Sequence, residues 1–264
     1  MMTEQTLHQL PFTTDDGFGT RARIGLILLS TDQTLEVEAR SIRIDGVDFY
    51  HARIEMEPEV TPTTLTDMKK RLPGTAALLP AEFEFDAIGY GCTSAATLIG
   101  SDGVTESIRQ AHPGMACSDP ISAAKAAFSA LGSSRIAVVT PYTADVTAPV
   151  ARQFSLARFE VGAVGSFLES SDLVVARISE TSIAEGVRTM ATAAGDCDAV
   201  FVSCTSLRTL RIIPDLEAEV GKPVVSSNLA LLWHLLRLSG VDDSVGGLGT
   251  LFTRTFAPGA PVSG

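Results

Sequence analysis

The sequence predicts an α/β chain built as two pseudo-symmetric lobes, each a parallel sheet flanked by helices, with an active site between them. Three observations predict it. Asp86-Ala-Ile-Gly-Tyr-Gly-Cys-Thr-Ser returns as Asp198-Ala-Val-Phe-Val-Ser-Cys-Thr-Ser, so Cys204 follows Cys92 by 112 residues (204 − 92). Arg23-Ile-Gly-Leu-Ile-Leu-Leu-Ser is echoed by Arg135-Ile-Ala-Val-Val-Thr-Pro-Tyr at the same offset (135 − 23). Two dissimilar strings sharing one offset mark an internal duplication. Short apolar runs also alternate with helical patterns, which requires right-handed βαβ units and parallel sheets.

Taken in order, residues 1–19 form a polar N-terminal arm. Arg23 to Leu29 is a continuous apolar run, the pattern of a strand buried on both faces. Ser30-Thr-Asp-Gln-Thr ends it, and a helix is expected from Leu35. Val47 to Glu57 alternates as a second strand, Pro58 to Pro62 interrupts, and Leu65 to Leu72 reads as a helix. Ala87 to Tyr90 is the next buried strand and delivers Cys92 to a turn before helical residues at Thr97–Ile99. Gly100-Ser-Asp-Gly either closes that helix or starts a new one, which Ser107 to Ala111 continues.

Pro113-Gly-Met-Ala-Cys-Ser-Asp-Pro resembles Lys222-Pro-Val-Val-Ser-Ser-Asn-Leu, and each precedes an apolar helix ending near Gly132 or Gly240. The second half then gives a strand from Arg135, an interrupted helix around Val150–Leu156, a strand near Val161–Phe167, a helix near Ile183–Ala194 and a strand at Ala199–Val202. The expected division places 20–117 plus 225–255 in lobe 1 and 118–224 in lobe 2.

At 264 residues and 45% hydrophobic composition the chain can bury a full core in one large domain or two lobes. A net charge of −11 opposes nucleic acid and anionic membrane as partners, since phosphates demand a basic surface. No apolar run approaches a membrane span, and the first residues lack the basic and apolar regions of a signal peptide, so a cytoplasmic location is expected. Cysteines 92, 117, 197 and 204 show no Cys-x-x-Cys spacing and no neighbouring His, so neither a metal nor a cofactor is expected. In a reducing compartment the thiols are free.

Ligands of parallel sheets bind outside the carboxyl ends of the strands, where both Cys-Thr-Ser turns fall. Two lobes facing each other bring both thiols to one cleft. Backbone N–H groups at a helix N-terminus are expected to lower a thiol's pKa there. Cys92 and Cys204 then serve as an acid/base pair that removes a proton from one face of a carbon and returns one to the other. Alternatively, one attacks an alkene as a nucleophile while its partner supplies a proton. The amides and hydroxyls of Thr93, Ser94, Thr205 and Ser206 either cradle a substrate carboxylate or merely cap helices. Cys117 and Cys197 read as small buried hydrophobes.

These motifs, with Thr140-Pro-Tyr and Pro223-Val-Val-Ser-Ser-Asn-x-Ala-x-x-Trp-His, resemble the aspartate/glutamate racemase superfamily, which includes maleate cis–trans isomerases and arylmalonate decarboxylases. Within it they are most similar to the ectoine-utilisation EutA branch. The resemblance covers roughly residues 20–255. It implies Cys92 and Cys204 as the catalytic pair, Tyr142 as a donor to a substrate carboxylate, and a homodimer. Asn228 either faces the cleft or caps the helix it precedes.

Two departures shape the expected substrate. Maleate isomerases carry Asn where this chain has Asp32, a carboxylate that repels a dianion and instead pairs with a substrate ammonium, unless it caps the following helix. Aspartate and glutamate racemases carry Cys-Asn-Thr and Gly-Cys-Thr, whereas both turns here read Cys-Thr-Ser. The leading expectation is proton transfer next to a carboxylate on an amino acid linked to ectoine breakdown. Maleate-type isomerisation is the alternative, and a non-catalytic sensor of small carboxylates is a third reading.

Overall fold

Apolar runs without alternation belong inside parallel sheets, and the computed structural model, which describes residues 7–57 and 61–257, places them there. The first half runs β1 (Ala22–Leu29), α1 (Leu35–Ser41), β2 (Val47–Ile54), α2 (Pro62–Ala76), β3 (Ala87–Gly91), α3 (Thr93–Ile99), α4 (Ser101–Arg109) and β4 (Ala116–Ser118). After α5 (Pro120–Leu131) come β5 (Arg135–Thr140), α6 (Ala144–Leu156), β6 (Glu160–Ser166), α7 (Asp172–Val175), α8 (Glu180–Ala193), β7 (Ala199–Val202), α9 (Ile213–Val220), β8 (Val224–Ser226) and α10 (Ser227–Leu238). The sheets have orders β2-β1-β3-β4 and β6-β5-β7-β8, with every pairing parallel.

The duplication holds at the level of register. Ile24 pairs with Ala87 and, 112 residues on, Ile136 pairs with Ala199. Arg23 opposite Asp48 is matched by Arg135 opposite Glu160. Even a loop device repeats, because the Asp86 carboxylate accepts from Arg23 N and the Asp198 carboxylate from Arg135 N, each at 2.8 Å.

Two helices cross between the halves. Although α5 follows the first sheet, its Phe128 ring packs edge-on against Phe154 and Phe201 of the second half. Conversely, α10 follows the second sheet and lies over the first, where His234 Nδ1 meets Ser118 Oγ at 2.7 Å. A β-carbon at Gly89 would sit 2.6 Å from Leu235 Cδ1, so this glycine lets α10 seat directly on β3. All but the last residue of α10 are buried, as its apolar sequence demands.

Some expectations need correction. The helix expected around Val150–Leu156 is continuous from Ala144 despite Pro149, because the carbonyl left without an N–H partner belongs to Asp145, whose exposure lets water reach it. The helix expected from Leu65 begins at Pro62 under a Thr61 capping box, proline being suited to a first helical position. Gly100, at φ 81°, both ends α3 and opens α4. β4 and β8 are three-residue strands, too short for a period of their own. The start of the N-terminal arm (1–6) and the interruption at Pro58 lie outside the described residues. No helix among the described residues is long and apolar enough to cross a membrane.

Gly89→Ala inserts a methyl group against buried Leu235 and Leu231. Urea denaturation should show a loss of about 1–3 kcal/mol, the usual result of overpacking a core. An unchanged midpoint would mean that α10 is loosely seated.

Candidate active site

Both cysteines stand where a buried strand leaves its sheet, yet the two turns differ. Cys92 is extended (φ −145°) and is the N-cap residue of α3. Cys204 has φ 105°, a left-handed conformation that side chains rarely adopt, and no helix follows until Ile213. Strain of this kind is held only by surroundings that over-determine it. Cys204 N donates to Ser227 Oγ at 3.0 Å and Ser206 N reaches back to the Cys204 sulfur at 3.4 Å.

The Cys204 loop is tied across the lobes by polar contacts. Thr205 Oγ1 donates to the carbonyl of Gly91 at 3.1 Å, and Thr34 Oγ1 donates to the carbonyl of Ser206 at 2.8 Å. Thr93 Oγ1 bonds Ser227 Oγ at 2.8 Å, so Ser227 touches both cysteine turns. Glu38, from α1, accepts the amides of Thr209 and Leu210 on one oxygen and Asn228 Nδ2 on the other. Asn228 Nδ2 also holds the carbonyl of Thr205 at 3.0 Å. Asn228 is therefore a brace inside the loop and not the cap of α10. That cap is Ser226, whose Oγ accepts from Leu229 N.

Asp172, at the start of α7, completes the seam. One carboxylate oxygen accepts from Ser206 Oγ at 2.7 Å and the other from Thr31 Oγ1 at 2.6 Å. It is 3% exposed, and its charge reaches both thiols. The Tyr142 hydroxyl, which follows β5, is buried, makes no hydrogen bond of good geometry among the described residues, and faces both thiols, Cys204 foremost, and Ser203. Burial, then the neighbouring Cys204, pushes its ionisation well above the ordinary tyrosine range.

The expected lowering by helix-terminal amides is present at Cys92 but is outweighed by burial. Cys92 and Cys204 are 2% and 5% exposed. Burial pushes the Cys92 thiol up to about 11, against weaker lowering by the Ala95 amide and Ser94. Burial, then Asp172, pushes Cys204 to about 12, and its turn has no helix N-terminus to oppose them. Desolvation outweighs the local amides, so both rest as thiols.

The other candidates divide. Asp32 takes the capping role that the sequence also allowed. Its carboxylate accepts the amides of Leu35 and Glu36 at 3.0 and 3.1 Å and so caps α1. The hydroxyls of Thr93, Thr205 and Ser206 are already donated, to Ser227 Oγ, the Gly91 carbonyl and Asp172. Ser94 Oγ lies 3.7 Å from the Cys92 sulfur. Cys117 and Cys197 are buried packing residues. No group of His, Cys, Asp or Glu able to hold a metal occurs among the described residues. A surface cleft of about 570 Å³ beside β6 and α8 contains neither cysteine.

Sequence reading missed Asp172 and Glu38. Glu38 had a signal, since Leu35, Glu38 and Ala39 follow the spacing of a buried helical stripe. Asp172 had none.

Comparison with known proteins agrees with this architecture. The arylmalonate decarboxylase (Amdase) family model matches residues 102–252. A maleate isomerase from Pseudomonas putida is 25% identical over 248 residues, covering 89% of this chain and 98% of its own. An arylmalonate decarboxylase from Bordetella bronchiseptica is 31% identical over 153 residues, 58% of this chain and 63% of its own. Among solved structures, a maleate isomerase variant from Pseudomonas putida with maleate superposes with a TM-score of 0.80 at 25% identity, covering 89% of this chain and 99% of its own. A Nocardia farcinica maleate cis–trans isomerase variant with a covalently bound succinylcysteine intermediate shares the fold, with a TM-score of 0.78 at 23% identity over 88% of this chain and 98% of its own.

Glu38 carries a pH-dependent signature. Burial raises its folded pKa from 4.5 to about 7. A carboxyl group that holds its proton more tightly when folded favours the folded state less as pH rises from about 4.5 to about 7. Urea midpoints should therefore fall across that window, and Glu38→Gln should flatten the fall. An equal slope in both proteins would place the titrating group elsewhere.

Proposed function

The chain belongs to the arylmalonate decarboxylase (Amdase) family, and from that premise we propose that it is a cofactor-independent isomerase of a small carboxylate, with Cys92 and Cys204 as its reacting pair. The single observation that carries this reading is the inter-lobe seam itself. Two equivalent strand-end thiols share one buried site with a tyrosine hydroxyl that makes no hydrogen bond of good geometry among the described residues. In the proposed roles, Tyr142 donates to a substrate carboxylate, while the thiols act on the carbon beside it.

Two chemistries use this arrangement without an external reagent. In the maleate-type reaction, which the full-length relatives favour, one thiolate adds to an alkene carbon. A C–S bond forms, the π bond breaks, and its electron pair moves toward the adjacent carboxylate. The second thiol protonates the other alkene carbon, which carries that electron pair, and later recovers the proton. Rotation about the new single bond precedes expulsion of the thiolate, which restores the alkene in the trans form. In the second chemistry one thiolate removes an α-proton and the opposite thiol returns one to the other face, inverting the centre. Asp172 favours this second reading, because a buried carboxylate beside the thiols opposes a dianionic substrate. Placement in the ectoine-utilisation branch is supported by the two Cys-Thr-Ser motifs and Thr140-Pro-Tyr.

Both chemistries require a thiolate that the resting site disfavours, so substrate binding must supply part of the activation. Proton NMR in D₂O separates the alternatives, using maleate, aspartate, glutamate and 2,4-diaminobutyrate with its N-acetyl forms. Loss of an α-proton signal is the expected mark of proton transfer, and fumarate formation that of cis–trans isomerisation. Cys92→Ser and Cys204→Ser should each reduce the rate by about 10²–10⁴-fold. Turnover that survives in both variants would refute the cysteine pair. Ligand binding with no turnover in the unmodified protein would identify a sensor.

A further inference from the structure

Among the described residues, the only buried Lys or Arg is Arg237, and its guanidinium is spent on the carbonyls of Val241, Asp243, Phe252 and Arg254. The seam between the lobes therefore holds buried carboxylates without a buried cation. Two of them are accounted for by backbone amides. Asp32 takes the first turn of α1, and Glu38 takes Thr209, Leu210 and the Asn228 side chain.

Asp172 differs from both. Among the described residues it accepts only one hydroxyl on each oxygen, from Thr31 and Ser206, and a carboxylate oxygen can accept two hydrogen bonds. Buried carboxylates are ordinarily paired with a cation or saturated with donors. Independently, the buried Tyr142 hydroxyl in the same site makes no hydrogen bond of good geometry among the described residues. One site thus offers an under-donated acceptor and a spare donor, each in electrostatic reach of both thiols, with Ser206 bonding both Asp172 and the Cys204 sulfur.

We propose that Asp172 is the specificity-determining counter-ion for a substrate cation, so that the site selects a small molecule carrying both an ammonium and a carboxylate. This rests on the cysteine-pair reading above and names the substrate class of that same site. The ammonium pairs with Asp172 while Tyr142 donates to the carboxylate. Neutralising Asp172 also removes a charge that opposes thiolate formation at Cys92 and Cys204, so the correct substrate primes its own nucleophile or base. A dianion of the same length gains no such pairing and meets like charge instead.

The test uses matched ligands that differ only in replacement of one carboxylate by an ammonium. They are β-alanine against succinate, and γ-aminobutyrate against glutarate. Isothermal titration of the full chain should show the amino member of a pair bound about tenfold or more tightly than the dianion. Asp172→Asn should abolish or invert that preference, consistent with loss of a charge-assisted contact. The unmodified protein alone decides the matter if the variant does not fold. Equal affinities, or preference for succinate and glutarate, would overturn the proposal and leave Asp172 an inter-lobe tie. So would binding of neither class. Turnover lost with the cysteines but a preference for dianions would sink this inference while sparing the isomerase reading. Turnover indifferent to the cysteines would sink that reading first.

Discussion

The Thr205 hydroxyl and the Gly91 carbonyl meet at 3.1 Å, joining the residue after one cysteine to the residue before the other. A carbonyl at the end of a buried strand must find a donor, or the desolvated group weighs against folding. Here the donor comes from the opposite lobe, as it does where Thr34 meets Ser206 and where Glu38 meets Thr209. The lobes therefore cannot part without leaving several buried polar groups unmatched at once. This mutual dependence fixes the two cysteine turns relative to each other. It also excludes the water that would otherwise stabilise their thiolates.

The halves are copies in register but not in chemistry. Cys92 sits at the start of a helix and Cys204 in a strained turn, so only the first has a helix N-terminus beside its sulfur. Duplication supplied two equivalent strand ends. Divergence of the turns beyond those strand ends gave the thiols unequal environments, which suits a pair in which one member must give a proton while the other takes one.

Much of this was legible in the chain. Buried strands such as β1 and β7 announce themselves as unbroken apolar runs, and the 112-residue offset carried through to strand register. Glu38 was legible in principle, as an acid on a buried helical stripe. Asp172 was not, because its burial is created by Thr31, 141 residues away, and Ser206, 34 away. The thiols' ionisation failed for a related reason. Local sequence shows the amides that lower a pKa, whereas the desolvation that raises it comes from tertiary burial. Asp32 shows the opposite case, since a local backbone role absorbed a residue whose charge suggested a ligand.

The crossing of α5 and α10 has a consequence for the order in which the chain is made. The first sheet is complete at Ser118, but the helix that covers Gly89 and Ser118 begins at Ser227, 109 residues later (227 − 118). At about 5–20 residues per second, a ribosome leaves that apolar face open for about 5–20 s. The half of the protein synthesised first is thus the half finished last. Its exposure on the ribosome is set by translation speed and not by the stability of the completed fold.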